Sequence, residues 1–236
     1  MYFDWTYVYF VIPAMLVALF AQIKVQTTYK KYSKVKNFKG ITGAEAARRV
    51  LDANGLGHVR IEQIPGELTD HYDPKTDVIR LSAAVYNSTS TAAIGVACHE
   101  AGHAVQHATD YKPAKIRMAI VPATKIGSTI AMILIPVGII LAAIGYYYAV
   151  SIAYVGLIGY AVIALFQVIT LPTEFNASSR AMAAIKDTGM LTAEEQKGAR
   201  KVLSAAALTY VAALFATVLT LLRFIVIINN VSGRRR

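Results

Sequence analysis

The sequence predicts a mainly α-helical integral membrane protein with four transmembrane helices and a small α+β domain on one membrane face. Of its 236 residues, 56% are hydrophobic and only 16% are charged, whereas an average soluble domain has about 25% charged residues. Three long, mostly apolar stretches contain no Asp, Glu, Lys or Arg: residues 5–23, 126–173 and 202–222. A membrane-spanning helix needs about 20 mostly apolar residues, so this distribution favours membrane helices over an ordinary soluble enzyme.

The charge-free stretches predict four spans, at about residues 5–23, 121–146, 150–171 and 202–227. The middle stretch is too long for one helix and suits a hairpin. Its turn, near residues 145–151, carries three tyrosines typical of the membrane interface. The first span lacks the basic flank of a signal peptide, so we interpret it as an uncleaved anchor.

The distribution of charge, with a net charge of +10, predicts the orientation. Four crossings put the polar regions 24–119 and 172–201 on the same side, where they hold most of the Lys and Arg residues. The other side has Arg223 and the tail Arg234–Arg236. Loops rich in Lys and Arg stay inside the cell, so we expect the polar domain to face the cytoplasm.

Six lysines follow the first span: Lys24, Lys30, Lys31, Lys34, Lys36 and Lys39. They could hold nucleic acid, but no nucleic-acid-binding module accompanies them. We interpret them as a topology signal that contacts anionic lipid headgroups. The expected partner is therefore the lipid bilayer and not nucleic acid.

The first polar region predicts a helix and two strands. Thr42 and Glu45 form a capping box, which opens a helix that ends at Asn54-Gly55. Strands at 59–64 and 77–82 flank a segment rich in turn residues. That segment, Pro65–Lys75, is expected to be a loop.

Three further helix starts follow. Ser88 or Ser90 can cap a helix that runs to about residue 109, and a second capping box at Thr192 opens a helix that continues into the fourth span. Between them, a helix is expected to start at Glu174 and to end before Gly189. The predicted division of the chain is 1–23, 24–119, 120–171, 172–201 and 202–236.

The helix from Thr91 contains an HExxH motif, formed by His99, Glu100 and His103. Side chains four residues apart share a helix face, so both imidazoles can bind one metal ion. Glu100 can then accept a proton from metal-bound water. In this composition the pattern would arise by chance roughly 0.003 times. The motif therefore predicts a catalytic zinc site.

Catalytic zinc takes three protein ligands and keeps one position for water, so a third ligand is needed. His107 lies about 12 Å along the helix from His99 and cannot share the ion with it, which favours a structural role. Glu174 directly follows the third span. The predicted hairpin returns Glu174 to the surface at which the zinc helix ends, so we expect Glu174 to be the third ligand.

Four segments carry a resemblance to a known family: residues 69–74, 78–82, 97–106 and 171–181. With the four-span layout, they resemble the bacterial membrane-bound neutral zinc metallopeptidases and, more distantly, the heat-shock membrane protease and CAAX prenyl protease group. The resemblance implies zinc on His99, His103 and Glu174, with Glu100 as the base. It also implies a protein or peptide substrate, membrane-associated in this interpretation, and a place in the bacterial cytoplasmic membrane.

The distant relatives have an Asp four residues after the ligand Glu, where this chain has Ser178. The partner that orients the zinc histidines is therefore expected to be Asn176, with Ser178 as the alternative.

The expected reaction is hydrolysis of a peptide bond by zinc-bound water that Glu100 activates. A second donor to the oxyanion is usual in such sites, and His71 or Tyr72 could supply it. The strand at 77–82 could bind an extended substrate by edge pairing, or it could only complete a small sheet.

The chain has a single cysteine, Cys98, so an intramolecular disulfide is excluded. Cys98 is expected to be a small buried residue.

Two other classes of function stay open. A non-proteolytic membrane scaffold or adaptor would hold a structural zinc through four protein ligands, of which the fourth would be His71 or Asp73. A transporter or channel would carry charges inside the membrane, and the spans hold essentially none.

Overall fold

The computed structural model describes residues 4–233, so the predicted basic tail Arg234–Arg236 lies outside the described residues. The helices are α1 Ile12–Tyr32, α2 Gly43–Ala53, α3 Ala83–Tyr86, α4 Thr91–Ala108, α5 Lys112–Ala143, α6 Val150–Asp187 and α7 Ala193–Gly233. The strands are β1 Arg60–Ile64, β2 His71–Asp73 and β3 Val78–Ser82. A π-helical turn, Tyr7–Val11, precedes α1, and a 3₁₀ turn, Tyr147–Ala149, precedes α6.

The four predicted membrane helices are present as α1, α5, α6 and α7, each long and apolar enough to cross a bilayer. The helix expected to start at Glu174 is not separate, because α6 runs unbroken from Val150 to Asp187 through Pro172. A proline removes a single backbone donor. Beyond Pro172, the side chains of Ala181 and Ile185 are buried in the hydrophobic core that α6 shares with α2 and α4. This packing keeps the last part of α6 helical.

The chain folds into two compact units, of which the first contains the described residues up to Ala21, 116–171 and 210–233. In this unit α5 and α6 form the predicted hairpin. Their backbones approach closely, since a Cβ added to Gly127 would lie 2.8 Å from the carbonyl oxygen of Gly159. Small residues at such a crossing allow close packing of membrane helices.

Arg223, the cation near one end of the fourth span, is neutralised within the first unit. It lies 3.3 Å from the carboxylate of Asp4 and 4.0 Å from the ring centroid of Tyr7. It also donates to the hydroxyl of Thr6 at 3.0 Å.

The second unit contains residues 22–115 and 172–209. Its sheet has the order β1-β3-β2, with β1 parallel and β2 antiparallel to β3. Strand β2 lies inside the segment expected to be a loop, and at three residues it is too short to show an alternating pattern. Strand β3 is the central strand, paired with β1 on one edge and with β2 on the other, so of the two alternatives for this strand the structure favours the one in which it completes a small sheet.

The caps of the second unit are those that the sequence predicts. Thr42 and Glu45 form the capping box of α2, and Ser90 accepts a hydrogen bond from the backbone of Ala93 at the start of α4. The core includes the inner faces of α2 and α4 and the buried side chains of the sheet. Cys98 lies in this core with 0% exposure, as expected, and burial raises the pKa of its thiol to about 12.

Candidate metal centre

The two histidines of the HExxH motif lie one turn apart on the same face of α4. Their ring centroids are 4.7 Å apart and the rings meet edge to face at 83°. Both positions are in the middle of an 18-residue helix whose other faces are buried. The backbone therefore holds the two imidazoles in a defined relationship.

Glu174 of α6 meets both histidines. Its Oε2 lies 3.3 Å from Nε2 of His99 and 3.6 Å from Nε2 of His103. Glu174 is only 2% exposed. A carboxylate is seldom buried without a charged or polar partner, and here the partners are the two imidazoles.

These three side chains fit a zinc ion. Their candidate ligand atoms all lie within 4.8 Å of one another. Ligands about 2.0–2.2 Å from zinc in a tetrahedral site are about 3.3–3.6 Å apart, and the distances from the Glu174 carboxylate to the two imidazoles fall in this range. Two imidazoles and one carboxylate are also a donor set of catalytic zinc.

Gln106 fixes the orientation of His103. Its Oε1 lies 3.0 Å from Nδ1 of His103, while its Nε2 donates to the carbonyl oxygen of Thr173 at 2.8 Å. Because that carbonyl can only accept, the amide group is oriented with its oxygen toward His103. Nδ1 of His103 must then carry the proton, which leaves the lone pair of Nε2 directed at the centre.

Ser178, and not Asn176, contacts the other histidine. The hydroxyl of Ser178 lies 3.2 Å from Nδ1 of His99. Oδ1 of Asn176 instead accepts hydrogen bonds from Gln106 at 3.0 Å and from Arg180 at 2.8 Å. Asn176 therefore reaches His103 only through Gln106, a residue that sequence reasoning missed although it lies three positions after His103 on the same helix.

Glu100 is held by the edge strand of the sheet. The backbone N–H of Tyr72 in β2 donates to Oε2 of Glu100 at 3.0 Å, and Glu100 is 8% exposed. Burial raises the pKa of the Glu100 carboxyl, against the opposing effect of His99 and His103. For His103, burial disfavours the charged ring, but the nearby carboxylates of Glu174 and Glu100 outweigh it, so its pKa is raised.

The side chains of His71 and Tyr72 have their own partners. Nδ1 of His71 lies 2.8 Å from the carbonyl oxygen of Thr69, and the ring is exposed. The hydroxyl of Tyr72 donates to Asp77 and lies 2.9 Å from Nδ1 of His107. Burial, and then the hydrogen bond to Asp77, raises the pKa of Tyr72. His107 thus joins α4 to β2 and is not in the metal-binding group.

Among residues 4–233, the candidate metal-binding group contains only His99, His103 and Glu174, so no fourth protein ligand is found at the centre. The carboxylate of Asp73, one of the two candidates for a closed structural site, is engaged by Arg80 at 2.9 Å and by Thr76 at 2.8 Å. A site with three protein ligands is the open kind that catalytic zinc occupies.

Comparison with known proteins gives two matches. A family model described as "putative neutral zinc metallopeptidase" matches residues 7–229. The chain is also 45% identical over 224 residues to the "putative membrane protease YugP" of Bacillus subtilis strain 168, a match that covers 95% of this chain and 97% of that protein. No solved structure gives a significant match.

Proposed function

This chain belongs to that neutral zinc metallopeptidase family, and from this premise we propose that it is a membrane-embedded zinc endopeptidase. The observation that carries the proposal is the convergence of His99, His103 and Glu174 beside the buried carboxylate of Glu100. His99, His103 and Glu174 would hold the ion. When bound, zinc supplies a Lewis acid that activates water and polarises a carbonyl group.

Glu100 is the general base of the proposed reaction. Its carboxylate accepts a proton from the attacking water as the water oxygen bonds to the peptide carbonyl carbon. It then delivers that proton to the amide nitrogen while the C–N bond breaks, which gives a carboxylic acid and an amine. The hydrogen bond from the backbone of Tyr72 holds Oε2 of Glu100, so the carboxylate needs little reorganisation before the transfer.

The outer nitrogens of the two histidines have different partners. Gln106 accepts from His103, and Ser178 contacts His99. Such partners fix the ring orientation and raise the basicity of the ligand nitrogens. The hydroxyl of Tyr72 is already bonded to Asp77 and His107, so the second donor to the oxyanion is assigned to His71. Because Nδ1 of His71 faces the carbonyl oxygen of Thr69, Nε2 can donate only from the imidazolium form of the ring, which carries both protons.

The proposed substrates are membrane or membrane-associated proteins, and the proposed role is their turnover at the cytoplasmic face. Glu174 is the first charged residue after the charge-free stretch 126–173, which supports a centre near the membrane surface. The excess of Lys and Arg in the two polar regions supports the cytoplasmic orientation.

Glu100→Gln tests the proposal, because the amide keeps the shape of the side chain but cannot act as the base. We expect proteolysis by the purified protein in nanodiscs to fall by about 100-fold or more, while bound zinc stays near one per chain. Glu67→Gln, the same change at an exposed residue, should leave activity unchanged. Full activity of Glu100→Gln would overturn the assignment.

A second experiment identifies substrates. It compares the proteomes of membranes that contain the wild-type protein with those of membranes that contain Glu100→Gln.

A further inference from the structure

A second polar site lies outside the metal centre, in a groove of about 580 Å³ between α1 and α7. Lys24 and Lys31 line it from α1, two turns apart, and the neighbours Arg200 and Lys201 line it from α7. Lys24 and Lys31, seven residues apart, lie on one face of α1, whereas Arg200 and Lys201 are adjacent residues that both reach the groove from α7. Two helix faces thus bring four cations to one groove.

Among the described residues that line the groove, none is acidic, so the groove itself supplies no counter-charge to the four cations. Like charges gathered around one cavity repel each other, and an anion between them removes this repulsion. The hydroxyl groups of Thr28 and Ser204 also line the groove and can donate hydrogen bonds to anionic oxygens.

One end of the groove is closed by direct contact between the helices. A Cβ added to Gly198 of α7 would lie 2.7 Å from the ring of Tyr32 of α1, so the helices have no space between them there. Apolar atoms of Ala205 and Leu208 also line the groove. The lining is therefore amphipathic, with cations and hydroxyl groups beside an apolar surface.

The position of the cations along the two helices indicates the level of the lipid headgroups. Lys24 is the first charge after the charge-free stretch 5–23, and Lys201 is the last charge before the stretch 202–222. Ala205 and Leu208 lie within the second stretch. Basic pockets between membrane helices at this level bind phosphate-containing lipid headgroups.

We propose that this groove binds the headgroup of an anionic phospholipid. Its phosphate lies among Lys24, Lys31, Arg200 and Lys201, and the first carbons of an acyl chain lie along Leu208. Free phosphate shares the anionic chemistry, but it would leave the apolar surface uncovered. The apolar part of the lining is thus the reason to assign a lipid.

The test is a titration of the purified full-length protein with phosphatidylglycerol or phosphatidylcholine in detergent, followed by native mass spectrometry and by Tm. We expect one tightly bound phosphatidylglycerol per chain, with no equal binding of phosphatidylcholine. Lys31→Gln/Lys201→Gln should weaken this binding about tenfold. The matched control, Lys30→Gln/Lys186→Gln, removes two exposed lysines outside the groove and should change it less than about twofold.

Three results would overturn the proposal: equal weakening in both double variants, equal binding of the two lipids, or the same rise in Tm with inorganic phosphate alone. The Tm of each variant in phosphatidylcholine reports whether it is folded. If a double variant does not fold, the single variants Lys31→Gln and Lys30→Gln repeat the comparison at adjacent positions of α1. Equal weakening in these two variants would overturn the proposal in the same way.

Discussion

Gly102 of the HExxH helix packs directly against the backbone of Ala177 on α6. A Cβ added to Gly102 would lie 2.7 Å from the carbonyl oxygen of Ala177. Gly102 is the residue before His103, and Ala177 lies three residues after Glu174. This close approach therefore sets the separation between the histidines of α4 and the carboxylate of α6.

Gly102→Ala should push the two helices apart, because a backbone oxygen cannot move aside as the end of a side chain can. We expect a loss of stability of about 1–3 kcal/mol and weaker zinc binding, measured by denaturant unfolding and by zinc titration. Gly95→Ala on the same helix is the control, since its Cβ would meet Ala199 at an ordinary 3.4 Å. If Gly95→Ala lost as much stability and zinc affinity as Gly102→Ala, the close contact between Gly102 and Ala177 would not be the cause.

His103→Ala should release zinc, whereas His107→Ala one turn later should not. His103 lies 3.6 Å from Glu174, but His107 contacts Tyr72 and Asp77. Elemental analysis after dialysis against a weak chelator should give about one zinc per chain for wild type and His107→Ala. His103→Ala should hold less than about a tenth of this amount. Retention of zinc by His103→Ala would exclude it as a ligand.

Gln106→Ala should lower zinc affinity by about 10–100-fold, because His103 loses the acceptor that fixes its tautomer. Asn176→Ala should cost less, since Asn176 acts only through Gln106. Gln106→Glu, which keeps an oxygen acceptor beside His103, should restore part of the affinity, and a purely structural role would not predict this rescue. Competition with a zinc-binding dye measures all three variants. A larger loss in Asn176→Ala would contradict this order.

Asp73→Asn should destabilise the fold in a pH-dependent way. The hydrogen bond from Arg80, followed by those from Thr76 and the backbone of Lys75, holds the pKa of Asp73 well below its ordinary value of 3.8. A carboxyl group with a lowered pKa in the folded state stabilises the protein above its unfolded pKa, and this contribution is lost as the pH falls through the folded pKa. The difference in Tm between wild type and Asp73→Asn should be full at neutral pH and should shrink below about pH 4.

The same change at an exposed carboxylate provides the control for this titration. Asp187→Asn at the end of α6 should give little difference in Tm from wild type at any pH. A difference for Asp73→Asn that stays constant from neutral pH down to about pH 3 would show that charge is not its cause.

The amino-acid sequence by itself determined the features that depend on local patterns. The length of the charge-free stretches predicted the four membrane helices, and the capping residues predicted the starts of α2 and α4. The spacing of His99 and His103 placed both on one helix face. Glu174 could be singled out because it is the first charged residue after 48 residues without Asp, Glu, Lys or Arg, a pattern that predicts a position near the membrane surface.

Only the tertiary structure decided which groups form hydrogen bonds with Glu100, His99 and His103. Strand β2 is too short to leave a pattern, yet it supplies the N–H group that holds Glu100. Gln106 and Ser178, and not Asn176, contact the histidines. Each of these contacts, apart from that of Gln106 with His103, joins residues far apart in the chain. They form only because Gly102 lets α4 and α6 approach closely and because β3 positions β2. Helix periodicity and residue spacing describe single elements, whereas the surroundings of the candidate zinc site depend on how those elements pack.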